Sequence, residues 1–206
     1  LPRTTIGGQD CKQPYNASLF NISAMSFGAL SDRAQMALNR GAKKGNFYHN
    51  TGEGGISPHH LEGGDLCWQI GTGYFGCRNE EGNFDADLFT KYANLENVKM
   101  IEIKLSQGAK PGHGGVLPAV KNTPEIAAIR HVRPGITILS PPSHSAFSSA
   151  EGLLKFVKQL RDLSGGKPTG FKLCIGDTKE FEDICEQMHI LKIYPDFITV
   201  DGAEGG

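Results

Sequence analysis

An incomplete (β/α)8 barrel is the fold class this α/β chain predicts, and three observations point to it. Short apolar, strand-like runs alternate with amphipathic helix-like ones along its 206 residues. The intervals between strand-like runs are long enough for crossovers, which join parallel rather than antiparallel neighbours. Glycine-rich loops follow two of the runs: Asn50-Thr51-Gly52-Glu53-Gly54-Gly55, and Gln107-Gly108-Ala109-Lys110-Pro111-Gly112-His113-Gly114-Gly115. Such loops let backbone N–H groups approach a ligand, and barrels of this class assemble their sites from loops at strand C-terminal ends.

The elements follow in order. Residues 20–27 form an apolar strand, and residues 31–44 a helix with Ser31 as N-cap and Ala34, Ala37, Leu38 and Ala42 on one face. Residues 47–50 and 66–70 are strands, 85–94 a helix, and 98–105 the fourth strand. Thr123-Pro124-Glu125 starts a helix over 123–131, a cap followed by proline at the first helical position. Residues 136–139 are the fifth strand, and 149–163 an amphipathic helix carrying Leu153, Leu154, Phe156, Val157 and Leu160. Strands over 170–175 and 197–200 flank a helix over 178–191. About seven strands result, and one further βα unit would complete eight. An open doubly wound sheet shares the same alternation. The chain starts at Leu1 and stops in a glycine loop, which reads as part of something longer.

The length suits a single domain, and the net charge of -1 leaves no basic footprint for nucleic acid or a membrane surface. No apolar stretch reaches the ~20 residues of a bilayer span, and no leader precedes the first strand. Five scattered cysteines form no CxxC, so no metal site is expected and reduced thiols in the cytoplasm are the simplest reading.

Gly71-Thr72-Gly73-Tyr74-Phe75-Gly76 matches G-x-G-x-x-G, but no helix opens on its third glycine, so it reads as a turn and not a dinucleotide fingerprint. Lys172, between Phe171 and Leu173, points into the barrel if its neighbours face the helices. There it either pairs with a carboxylate or faces an anionic ligand. Asp201-Gly202-Ala203-Glu204-Gly205-Gly206 follows the last strand, and is either a plain turn or part of a phosphate cradle. Glu53, Lys110 and His113 together make the cation-plus-acid set expected for binding and protonating an acidic substrate.

The chain resembles the flavin-binding barrel of the glutamate synthase family. Ser23-Ala24-Met25-Ser26-Phe27-Gly28-Ala29-Leu30-Ser31, residues 50–55 and 107–112, Ser140-Pro141-Pro142 and residues 201–206 carry the resemblance, over nearly the whole chain. It implies FMN at the strand C-terminal ends. Ala24, Met25 and Ser26 would lie along the flavin ring, with Asn50 and Thr51 near its polar edge. Gln107 and Lys172 would meet the pyrimidine side, and Gly202, Gly205 and Gly206 would cradle the phosphate.

The implied reaction is hydride transfer to 2-iminoglutarate, formed from 2-oxoglutarate and ammonia, giving glutamate. Lys110 would hold a substrate carboxylate, and Glu53 would position or protonate the imine nitrogen. An electron-donor protein or domain and a homo-oligomer are the expected partners. His113 stands where the glutamate synthases carry glutamate, so another amino or hydroxy acid is the alternative substrate. The family's iron–sulfur cysteines lie beyond residue 206, and no amidohydrolase domain is present to release ammonia. A barrel open at its first and last strands predicts weak FMN retention by residues 1–206, or a flavin-free piece working within an assembly.

Overall fold

The computed structural model describes residues 2–110 and 112–202. Five helices form among them, α1 (Asp32–Gly45), α2 (Ala86–Ala93), α3 (Pro124–Arg130), α4 (Ala150–Leu163) and α5 (Thr178–Leu191). Their starts are fixed locally: the side chains of Ser31, Asp85, Thr123, Ser149 and Asp177 each accept a first-turn backbone N–H. Asn46, His131 and Lys192, all left-handed with φ of 54°, 56° and 56°, end α1, α3 and α5.

The strands are β1 (Arg3–Ile6), β2 (Tyr15–Ser18), β3 (His49–Asn50), β4 (Leu66–Ile70), β5 (Val98–Lys104), β6 (Val116–Leu117), β7 (Ile138–Leu139), β8 (Thr169–Leu173) and β9 (Ile198–Val200). Five of them make one curled parallel sheet in the order β3-β4-β5-β8-β9. The order follows the chain without a reversal. A doubly wound sheet reverses at its switch point, so the architecture is an incomplete (β/α)8 barrel.

Two expected strands depart from this sheet. Residues 20–27 form no regular strand: Ile22 makes an isolated parallel bridge to His49, Met25 N donates to Asn50 O, and Phe27 bridges Leu30. Phe20 turns outward instead, edge-on to Phe47 at 5.8 Å. Residues 136–139 leave the sheet altogether: Ile138 and Leu139 pair antiparallel with Leu117 and Val116. The edge of β5 is already taken by β8, from Ile101 opposite Thr169 to Lys104 opposite Lys172. A short run between Pro134-Gly135 and Pro141-Pro142 has no room to compete.

The hairpin β1–β2 was not apparent in the apolar pattern, because its strands are short and carry the exposed polar residues Thr4, Thr5 and Asn16. Tyr15 and Ala17 pack on Cys67 and Met100, plugging the end of the half-barrel where the strands begin. Asp196 clasps that end: its carboxylate accepts from Gly8 N (2.6 Å), Thr169 N (2.8 Å) and Arg161 Nε (2.9 Å). Outside the sheet, Leu66, Trp68, Ile70, Ile101, Ile103 and Phe171 meet Phe89, Leu154, Val157 and Leu160 of α2 and α4 in the main core. Trp68 stacks on Phe89 at 5.2 Å.

Candidate functional site

Strand register sets which side chains face inward, since alternate residues share one face. Cys67 is opposite Met100, Gln69 opposite Glu102, Lys104 opposite Lys172, and Lys172 opposite Thr199. Beginning at the plugged end, the inner face is therefore apolar at Cys67 and Met100, then polar, then cationic.

Glu102 organises the polar layer. Its carboxylate accepts from Asn50 Nδ2 (2.8 Å), Gln69 Nε2 (2.7 Å) and Thr199 Oγ1 (2.7 Å), joining β3, β4, β5 and β9. A carboxylate with 3% exposure requires such partners. The cationic layer lies two residues further along. Lys104 Nζ donates to Glu53 Oε1 (2.5 Å) and Gln107 Oε1 (2.6 Å). Lys172 Nζ lies 3.7 Å from Asp201 Oδ2, which also accepts from Gly108 N (3.1 Å). Lys172 thus points inward as its neighbours required, and it both pairs with a carboxylate and lines a cavity.

That cavity, about 360 Å³, opens at the strand C-terminal ends. Seven residues singled out in the sequence line it: Ala24, Ser26, Glu53, Gln107, Lys110, His113 and Lys172. Gln69, Lys104, Lys121 and Arg130 join them. Five cationic side chains against Glu53 make a wall suited to an anionic ligand.

Other expected residues stand behind the wall. Asn50 Oδ1 accepts from Gly52 N (3.0 Å), so both ends of its amide are engaged inside the protein. The Thr51 hydroxyl donates to Gly52 O (2.9 Å) and accepts from Gln69 N (3.1 Å). Met25 contributes its backbone: its N–H donates to Asn50 O (3.1 Å), and its carbonyl accepts from Gln35 Nε2 (2.8 Å) and His60 Nε2 (3.2 Å). His60 Nδ1 accepts from Ser57 N (3.1 Å), which fixes the proton on Nε2. Gly202 is exposed and is not among the lining residues, and Gly205 and Gly206 lie outside the described residues.

Burial holds His60 neutral down to about pH 4, and burial with His60 beside it pushes His49 down to about 3. Burial also lowers the basicity of Arg130, with Glu53 acting in the opposite sense. The Arg130 guanidinium donates to Phe27 O (3.1 Å) and lies 4.9 Å over the Phe75 ring.

Lys104 and Glu102 escaped the sequence reading although they carried the signal that exposed Lys172. In Val98-Lys99-Met100-Ile101-Glu102-Ile103-Lys104, Glu102 and Lys104, two residues apart, interrupt the apolar end of the strand. Arg130 had no such signal: at the end of a helix it reads as a solvated charge.

The model of the conserved region in glutamate synthase matches residues 5–206. The glutamate synthase large subunit-like protein YerD of Bacillus subtilis (strain 168) is 43% identical over 98% of this chain, which spans 38% of that relative. The archaeal-type glutamate synthase [NADPH] of Thermotoga neapolitana is 34% identical over 90% of the chain and 34% of its own length. The glutamate synthase [NADPH] large chain of Bacillus subtilis (strain 168) is 31% identical over 91% of the chain and 12% of its own length. An inner face graded from apolar to cationic, a cavity at the strand ends and a match over nearly every residue agree: the chain belongs to the glutamate synthase family.

Proposed function

We propose that this region is the FMN-binding barrel of a glutamate synthase-type oxidoreductase acting on 2-iminoglutarate. The observation that carries the reading is the register pair Lys104 and Lys172, with Gln107 beside them, on one wall of the cavity. The donor set fits a flavin: ammonium and amide groups gather on one side, and the backbone of 24–26 runs along the wall. Close packing supports that wall, since a Cβ on Gly52 would overlap the Ser26 hydroxyl.

FMN would be held by Ala24, Met25 and Ser26 along the ring and by Gln107 and Lys172 at the pyrimidine side, and when bound it supplies hydride to the imine carbon. Lys172, steadied by Asp201, places a fixed positive charge where reduced flavin gathers negative charge. Glu53 and Lys104 form a charge pair at the reacting end: Glu53 orients or protonates the imine nitrogen, and Lys104 holds the Glu53 carboxylate in place. Lys110 and Arg130, both lining the cavity, bind the carboxylates of 2-oxoglutarate. Electrons would come from a donor protein or domain, and an iron–sulfur cluster would be held by residues outside this region. No group of three or more His, Cys, Asp or Glu among the described residues could hold a metal. No described helix is long and apolar enough to cross a membrane. The five free, scattered cysteines support our assignment to the cytoplasm.

Incubation with excess FMN, gel filtration and a visible spectrum test the cofactor assignment. Turnover with 2-oxoglutarate and ammonia tests the reaction. Glu53→Gln in the active enzyme lowers turnover and leaves flavin content intact; unchanged turnover refutes its role. His113 on the cavity wall favours one second reading, a flavin enzyme for another amino or hydroxy acid. Bleaching of the flavin by such a substrate, and not by glutamate, would establish it.

A further inference from the structure

The loop Gly71-Thr72-Gly73-Tyr74-Phe75-Gly76 is absorbed neither by flavin binding nor by the dinucleotide motif it superficially matches. It folds as turns, and no helix opens between it and Ala86. Two of its residues nevertheless touch charged groups of the cavity, and a third reaches Lys104 through a histidine. Gly71 lies so close to Glu53 that a Cβ there would overlap the carboxylate. The Phe75 ring lies under the Arg130 guanidinium. Tyr74, 1% exposed and in the left-handed region at φ 48°, directs its hydroxyl to His144 Nδ1 at 3.0 Å. A non-glycine residue at positive φ is held there by its surroundings.

His144 completes the connection. Its Nε2 lies 2.8 Å from the Lys104 carbonyl, which has no proton to give, so Nε2 carries the hydrogen and donates. Nδ1 is then the acceptor, and the Tyr74 hydroxyl donates to it while accepting from Ala146 N (3.1 Å). Phe147 stacks on the imidazole at 4.8 Å, and burial keeps the ring less basic than a free histidine. Each hydrogen along Tyr74–His144–Lys104 thus has one acceptor, and the chain ends on the lysine whose ammonium grips Glu53.

We infer that Tyr74 and His144 are positioning residues that set the end of β5, and through it the placement of Lys104 against Glu53. The inference rests on the reading of Glu53 and Lys104 as the reacting charge pair. A glycine-rich turn beside the sheet thereby becomes a collar around the site, in contact with Glu53, Arg130 and, through His144, Lys104.

The test uses the full-length protein with its cofactor. Tyr74→Phe removes one hydroxyl; it should lower kcat about tenfold while changing KM for 2-oxoglutarate less than twofold and leaving flavin content intact. His144→Ala should lower kcat at least as far. His144→Gln, whose amide can reach the Lys104 carbonyl, should recover most of it. A Tyr74→Phe enzyme with wild-type kcat, or a His144→Gln enzyme no better than His144→Ala, overturns the inference. If wild-type protein shows no turnover, the functional reading fails by itself. Carbon NMR of the Glu53 carboxylate, assigned through Glu53→Gln, then decides the positioning: a signal moved by Tyr74→Phe supports it, and an unmoved signal overturns it.

Discussion

Loop 50–55 is bonded or buried at nearly every residue, whereas loop 107–115 is exposed through its described middle residues. In the first, Asn50, Thr51, Gly52, Gly54 and Gly55 are buried, and side chains of Asn50 and Thr51 bond their own loop. In the second, Gly108 N donates to Asp201 and Gly115 O accepts from Ser140 N, while Ala109, Lys110, Gly112 and His113 are exposed. Equal richness in glycine therefore serves opposite ends. One loop uses glycine to bring two backbones together; the other leaves the side chains of Lys110 and His113 at the cavity mouth. The first is a fixed, buried wall of the cavity and the second an exposed one.

The largest expected difference is steric. Gly52 has φ +66°, and a Cβ there would sit 2.6 Å from Ser26 N. Gly52→Ala should cost roughly 3–5 kcal/mol, from left-handed strain plus overlap. Gly112, at φ +74° with open space among the described residues where a Cβ would sit, pays only the strain in Gly112→Ala, about 1–2 kcal/mol. Urea unfolding of both variants measures the gap, and equal losses would erase the distinction between the loops.

Next comes Glu102, on which the fixed wall rests. Glu102→Gln turns an acceptor oxygen into an amide facing buried donors, and should cost about 2–3 kcal/mol in the same titration.

Acid should attack the fixed wall selectively. His49 and His60 ionise near 6.5 in the unfolded chain, but stay neutral in the folded protein to about 3 and about 4. The unfolded state then binds protons first, so stability is full above pH 6.5 and falls as pH drops from 6.5 toward 4. The slope is about 1.4 kcal/mol per pH unit for each histidine. Urea midpoints at pH 7.5, 6 and 5 reveal it, and His49→Leu should remove one histidine's share of the slope, about 1.4 kcal/mol per pH unit, while breaking no hydrogen bond of the ring among the described residues.

The smallest effect on stability belongs to Lys110. Lys110→Ala should change unfolding by no more than about 0.5 kcal/mol. It should raise KM for 2-oxoglutarate about tenfold, the worth of one charge-assisted contact. A wild-type KM would remove the loop from substrate binding.

Most of the helices were legible residue by residue, because caps such as Ser31, Thr123-Pro124 and Ser149 act within one turn. Strand membership was less so. Residues 136–139 carry an apolar pattern as convincing as residues 66–70, yet only the latter found an edge to pair with. In the site, loop residues next to glycine were readable and so was Lys172, a charge breaking an apolar strand. Arg130 was not, since a charge at a helix end looks solvated until Phe27 and Phe75 close over it.

By itself the amino-acid order determined the alternation of elements, their caps, and the family to which the chain belongs. These depend on side chains a few residues apart, or on long blocks of identity. The tertiary structure alone decided that β5 pairs with β8, that Glu102 ties β3, β4 and β9 together, and that Asn50 and Thr51 stand behind the cavity wall. It also decided that the 71–76 turn reaches Lys104 through His144. Each of these joins residues distant in the chain, and the choice among competing edges and buried partners is made only when the sheet closes around them.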